Sequence, residues 1–285
     1  MYNQAITVAE IGCNHKGELD IAKELIILAA QAGARYAKFQ KRNNRELLGL
    51  EAYQKPHPVP YNSYGETYGE HRDFLELDLN QHSLLKEHCE KVGISYATSV
   101  WDLTSAQEII SLNPDYIKIP SACNNNVDLL SYIADNYSGD VHISLGMTTA
   151  NEEKQLMELL EPLVGRVVLY ACTSGYPISF KDASLLEISR LCDTYGKQVK
   201  AIGYSGHHLG IAIDVAAYTL GAEWIERHFT KDRTWKGTDH AASLEPVGLG
   251  KLVRNLNATY QSLTYKAEEI LDIEEEQRNK LKFKA

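Results

Sequence analysis

The sequence predicts an α/β protein, a TIM (β/α)8 barrel, on three observations. Short apolar runs alternate with amphipathic stretches eight times. Polar, chemically capable residues end nearly all of these runs instead of clustering at a single point, as a doubly wound sheet would require. The chain of 285 residues, 44 % of them hydrophobic, is long enough to close one large barrel, although length alone also admits two smaller domains.

Residues 5–11 (AITVAEI) read as a buried strand. Leu19, Ala22, Leu25, Ile26 and Ala29 then form a helical stripe over 18–33, stopped by Gly33. Further strands are expected at about 35–40, 94–100, 116–120, 140–146, 166–172, 199–205 and 223–228, each followed by a helical pattern. One connection breaks the rhythm. Residues 41–79 are polar and aromatic, with Pro56, Pro58, Pro60 and GETYGEHR (65–72), and read as a lid, a binding loop or an ordered excursion over one barrel end. The expected domain is therefore a barrel over 1–265, followed by a charged helix or tail over 266–285.

A net charge of −9 and a pI near 5.6 argue against a nucleic-acid partner or an anionic membrane, since both reward a basic surface. Any anionic ligand must be held by local positive charge. The five cysteines are odd in number, widely spaced and without a CxxC pair, which reads as reduced thiols in a cytoplasmic protein. The N-terminal stretch MYNQAITVAE lacks the features of a secretion signal, and no apolar run approaches the ~18 residues of a membrane span.

At the strand ends, Glu10 follows an apolar run and should point into the barrel mouth, either as a working carboxylate or in an ion pair with a neighbouring lysine. Lys38 and Lys118 interrupt apolar strands, where a lysine needs an anion. They suggest a bound carboxylate or phosphate, or a Schiff-base nucleophile. Thr98, Ser99, Ser121, Ser144, Thr173, Ser174 and Ser205 form a set able to cradle an oxyanion, though each alone is more often a cap or turn residue. His207 and His228 end adjacent strands, so their imidazoles can converge on a divalent metal or form a hydrogen-bonded core pair. Asp239, in KGTDH, is placed to orient a sugar hydroxyl or a metal-bound water.

The motifs AEIGCNHKG (9–17), AKFQ (37–40), IKIPSA (117–122), SLGM (144–147), CTSGYP (172–177), GYSGHHLG (203–210) and ERHFTKDRTWKGTDHAASLEP (226–246) make the chain resemble the sialic acid synthase family. The resemblance implies condensation of phosphoenolpyruvate with an open-chain N-acylated hexosamine, typically N-acetylmannosamine, to give a nine-carbon 2-keto acid and phosphate. It further implies a divalent metal, Mn2+ or Mg2+, on His207 and His228. Lys38, Thr98, Lys118 and Ser121 match positions that bind phosphoenolpyruvate. Ser144 and Ser205 match positions at its phosphate, Tyr176 and Asp239 match sugar contacts, and Glu10 matches the essential carboxylate. Ser174 stands where some members carry asparagine near the phosphate, Gly206 where an aspartate is common, and Cys123 where a glutamate can face the sugar. These departures leave open whether the sugar is N-acetylmannosamine or a legionaminic or pseudaminic acid precursor. Family members usually continue into an antifreeze-like domain whose arginine reaches the partner subunit's sugar site. The expectation here is a homodimer without that domain, in which Arg72 replaces the missing contact. The alternatives are a Schiff-base aldolase on the same barrel and a non-catalytic sugar-binding barrel.

Overall fold

A computed structural model describes residues 2–283. Eight parallel strands, β1 (Ile6–Gly12), β2 (Tyr36–Lys41), β3 (Ser95–Val100), β4 (Tyr116–Ile119), β5 (Asp140–Ser144), β6 (Val167–Cys172), β7 (Ala201–Gly206) and β8 (Trp224–His228), close into a barrel in sequence order, with β8 paired to β1. This is the expected TIM (β/α)8 barrel, and every strand falls where the apolar runs predict it to within two residues. The helices are α1 (Leu19–Gln31), α2 (Asn44–Leu47), α3 (Leu50–Gln54), α4 (Tyr68–Phe74), α5 (Leu79–Val92), α6 (Leu103–Ser111), α7 (Val127–Asn136), α8 (Ala150–Leu159), α9 (Leu186–Tyr195), α10 (Ala212–Thr219), α11 (Pro246–Ser262) and α12 (Asp272–Leu281). None of the described helices is long and apolar enough to cross a membrane. The last, α12, buries no residue.

Strand alternation divides the core into two. Outward residues such as Ile11, Phe39, Ile119, Leu169 and Ile225 pack against Leu25, Leu85, Ile109 and Leu249 of the helical ring. Inward residues Val8, Tyr36, Ala97, Tyr116, Val168, Tyr170 and Trp224 fill the barrel interior. There the Tyr116 and His142 rings stack at 3.7 Å, and Trp224 stands edge-on to both, 4.5 Å from His142 and 5.6 Å from Tyr116. Tyr36 closes against Tyr116 and Trp224. Among the described residues these aromatics fill the N-terminal end, and the cavity opens at the C-terminal end.

The 41–79 connection is an ordered excursion rather than bare loop. It carries α2, α3 and α4, and its turns are fixed locally: Asn43 caps α2, and Thr67 with Glu70 forms a capping box on α4. Tyr64 stacks on Phe74 at 4.9 Å, and its hydroxyl donates to the Lys236 carbonyl at 2.6 Å, tying the excursion to the loop after β8.

Candidate active site

The open end encloses a cavity of about 400 Å3 lined by every strand end of the barrel and by the excursion. On its floor lie two lysines and two glutamates, all nearly fully buried. Lys38 on β2 pairs with Glu10 on β1, its register neighbour, and donates to Ser99 Oγ at 2.8 Å. Lys118 on β4 reaches across the barrel to Glu226 on β8, donating to Oε1 at 2.6 Å, and its ammonium also sits 4.1 Å over the Tyr170 ring. Glu226 Oε2 is 3.8 Å from Lys38, and Ser205 Oγ donates to Oε1 at 3.1 Å. Burial pulls the Lys118 ammonium below its ordinary value against the upward pull of Glu226. Burial also raises Glu226, but Lys118 and Lys38 outweigh it and hold the carboxylate below its usual range. The charged pair is the state that geometry favours, because one carboxylate faces two ammoniums. Glu226 is absent from the sequence-based candidates. Its signal is parity: in WIERH it shares a face with Trp224 and His228.

Beside the lysines, Ser121, Ser144, Ser174 and Ser205 line one side of the cavity. Ser121 and Ser174 crowd around Gly146, where an added Cβ would collide with their hydroxyls. The absent side chain therefore keeps the oxyanion cradle open. Thr98 is not brought to this site. Its hydroxyl is fully buried behind the strand, bonded to the Tyr96 hydroxyl, and Ser99 takes the inward position because successive strand residues face opposite ways.

The two histidines converge as their strand ends predict, with ring centroids 5.4 Å apart. His207 Nδ1 lies 2.8 Å from the Thr173 carbonyl and donates to it, which leaves Nε2 as the lone-pair nitrogen. Burial, then the neighbouring His228, lowers its pKa to about 3, so the ring is neutral. His228 Nδ1 is buried without a hydrogen-bond partner among the described residues, with Asp239 Oδ2 3.9 Å away. No cluster of three or more His, Cys, Asp or Glu residues preforms a metal cage among the described residues. Two converging imidazoles and a nearby carboxylate nevertheless suit a divalent ion that completes its shell with water and substrate oxygens. Tyr176, half exposed, lies over the pair, 4.3 Å from the His207 ring and 5.8 Å from His228.

Arg72 reaches the cavity from α4. It has no ion pair among the described residues. It donates to the Tyr68 hydroxyl at 2.9 Å and lies 5.4 Å over Trp101. Gln40, which donates to Glu10 at 2.8 Å, and Arg42 and Trp101 also line the mouth without having been singled out in the sequence.

Fold and site define a TIM-barrel protein of the synthase type, with paired lysines, a hydroxyl cradle and a histidine pair at the C-terminal mouth. The profile of the NeuB family matches residues 25–268. The chain is 39 % identical over 267 residues to N-acetylneuraminate-9-phosphate synthase of Homo sapiens, covering 94 % of this chain and 73 % of that protein. It is 33 % identical over 263 residues to N,N'-diacetyllegionaminic acid synthase of Campylobacter jejuni, covering 91 % and 78 %. The crystal structure of N-acetylneuraminic acid (sialic acid) synthetase from Leptospira borgpetersenii, in complex with citrate, superposes with a TM-score of 0.83 at 31 % identity, covering 99 % of this chain and 94 % of that one. The chain belongs to the NeuB family and is a sialic acid synthase-like barrel.

Proposed function

We propose that this barrel condenses phosphoenolpyruvate with an N-acylated hexosamine, such as N-acetylmannosamine, to give a nine-carbon 2-keto acid and phosphate. The observation that carries the reading is the juxtaposition of Lys38 and Lys118, the serine cradle and the His207–His228 pair in one cavity. The two ammoniums and the hydroxyls of Ser121, Ser144, Ser174 and Ser205 match a carboxylate and a phosphate on one small molecule. Ser99 holds Lys38 in place. A divalent ion held by His207 and His228, Mn2+ or Mg2+, would supply Lewis-acid polarisation of the sugar carbonyl. Tyr176 and Asp239 then orient the acceptor beside it.

In the reaction, C3 of phosphoenolpyruvate forms a bond to the sugar aldehyde carbon, and the aldehyde oxygen takes a proton. Cationic character develops at C2, water adds there, and the C2–O bond to phosphate breaks as the keto group forms. The oxygen of the new keto group comes from water, and phosphate leaves with the former bridging oxygen. Glu10, linked to Lys38 and Gln40, is the carboxylate placed to take the proton of the attacking water. We further assign the protein to the cytoplasm as a homodimer.

Mixing the protein with phosphoenolpyruvate, Mn2+ and a panel of hexosamines should release phosphate in step with keto acid. No release with any sugar overturns the reading. A Schiff-base aldolase is favoured by one observation, the burial-lowered pKa of Lys118. Borohydride trapping of a pyruvate adduct at Lys118 would establish it. The ion pair with Glu226 argues against it, because a protonated, carboxylate-bound amine is not a nucleophile.

A further inference from the structure

His207 and His228 both stand just past the last rung of the β7–β8 ladder. The register of the two strands runs from Gly203↔Trp224 to Gly206↔Arg227 and stops one residue short of each histidine. Strand pairing alone does not fix the distance between them. Arg227 supplies a second link, from the outer side of the barrel wall. It lies between Glu226 and His228, which line the cavity, and so points the opposite way, toward α10. There its fully buried guanidinium binds the segment that follows His207. Nη2 donates to the His208 carbonyl at 2.6 Å, and Nη1 donates to the Gly210 carbonyl at 2.9 Å and to Asp214 Oδ2 at 2.5 Å. Asp214 Oδ1 in turn lies 3.4 Å from His208 Nε2. Gly206 leaves room for the cluster: a Cβ there would stand 2.7 Å from the Tyr204 ring, 3.0 Å from His208 Nε2 and 3.1 Å from Arg227 Cδ.

Stability does not account for this arrangement. A buried ion pair gains little over apolar residues of the same volume, because desolvation offsets the attraction. Two of the acceptors are backbone carbonyls just beyond His207, so the cation fixes the path of the chain leaving that histidine. The other ties of His207 run to the loop after β6: its Nδ1 bonds the Thr173 carbonyl, and its own carbonyl accepts the Ile178 N–H at 3.1 Å. The Arg227 bonds are the ones that run to β8. Resting on the metal reading above, we propose that Arg227 and Asp214 are positioning residues for the histidine pair. The guanidinium joins the residue after His207 to the residue before His228, holds the imidazole centroids 5.4 Å apart, and thereby sets the affinity of the pair for a divalent ion. Neither Arg227 nor Asp214 lines the cavity, so the effect passes through the backbone.

The test is Mn2+ binding to the intact chain without substrates, followed by electron paramagnetic resonance, in Arg227→Lys and Asp214→Asn. Lysine keeps the charge but loses the planar fork that serves several acceptors at once, and asparagine keeps the shape without the charge. Each variant should raise the Kd for Mn2+ about tenfold to a hundredfold, as expected when the contacts that orient a metal ligand are lost. The visible absorption of bound Co2+ should shift too, because it reports the angles between ligands. Binding of phosphoenolpyruvate to the metal-free protein should stay at the wild-type level, whereas a general loosening of the barrel would weaken it in parallel. Folded variants with wild-type Mn2+ affinity and an unshifted Co2+ spectrum overturn the proposal, and so does parallel weakening of phosphoenolpyruvate. If Arg227→Lys does not fold, Asp214→Asn decides; if neither folds, the pair is a determinant of the fold and the proposal falls. None of these readouts needs turnover. A protein that condenses no hexosamine, yet binds Mn2+ more weakly in both variants, loses the reaction assignment and keeps the positioning pair. A wild type that binds no Mn2+ overturns the metal assignment and the positioning pair together.

Discussion

Lys118 and Glu226 meet across the full width of the barrel, from β4 to β8, with 2.6 Å between Nζ and Oε1. The contact excludes neither substrate nor water by itself, but it fixes the charge of the floor. Glu226→Ala should cost about 3–5 kcal/mol in urea denaturation, because it leaves a buried ammonium without its partner. Lys118→Ala should cost less, since Glu226 keeps Lys38 as a partner, and should raise the KM for phosphoenolpyruvate far more than that for the sugar. Equal KM changes would count against the anion role of Lys118.

Ser99 and Thr98 separate by strand parity. Ser99→Ala loosens Lys38 and is expected to weaken phosphoenolpyruvate binding severalfold with little loss of stability. Thr98→Ala removes one of two partners of the buried Tyr96 hydroxyl, which keeps His82 Nδ1 at 2.7 Å, and is expected to cost about 0.5–1.5 kcal/mol while leaving substrate KM values near wild type. The reverse pattern would show that the inward face is misassigned.

His207→Ala and His228→Ala should each lower bound metal well below one equivalent and remove turnover, while the far-UV spectrum stays that of a barrel. Chelation should do the same to the wild type, reversibly. Full activity in a metal-free His228→Ala protein would sink the metal assignment.

Buried histidines set an acid limit. Burial, aided by Lys41 and His15, lowers the pKa of His82 from 6.5 to about 3. Between these values the unfolded chain binds the proton and the folded chain does not. The stability contribution is therefore complete above pH 6.5 and declines as pH falls toward 3. The slope is about 1.4 kcal/mol per pH unit for one such group. His82→Gln should flatten the fall in unfolding free energy between pH 6 and 4 by about that slope. An unchanged slope would mean that His82 is charged in the native state.

The barrel was legible in the sequence because Leu, Ile, Val and Ala recur with the two periods that strands and helices impose, and because His207, His228 and Lys118 interrupt those periods at strand ends. What the pattern could not carry was pairing. Lys118 and Glu226 are 108 residues apart, and nothing local marks one as the other's counter-ion. Motif position points to Thr98, although counting alternate residues from Ala97 places Ser99 inward. The helices α2, α3 and α4 run only four to seven residues, too short to show a period, yet the capping signal Thr67–Glu70 was readable.

The aromatic plug formed by Tyr36, Tyr116, His142 and Trp224 makes the chamber a dead end, and a dead end imposes a queue. A molecule seated on Lys38 and Lys118 must arrive before one that occupies the rim at Tyr176 and Arg72, and must depart after it. On the proposed reaction, phosphoenolpyruvate is expected to bind first and phosphate to leave last. In initial-rate studies phosphate should compete with phosphoenolpyruvate at every sugar concentration, whereas the sugar acid should not. Competition by both products would show that the chamber has a second way in.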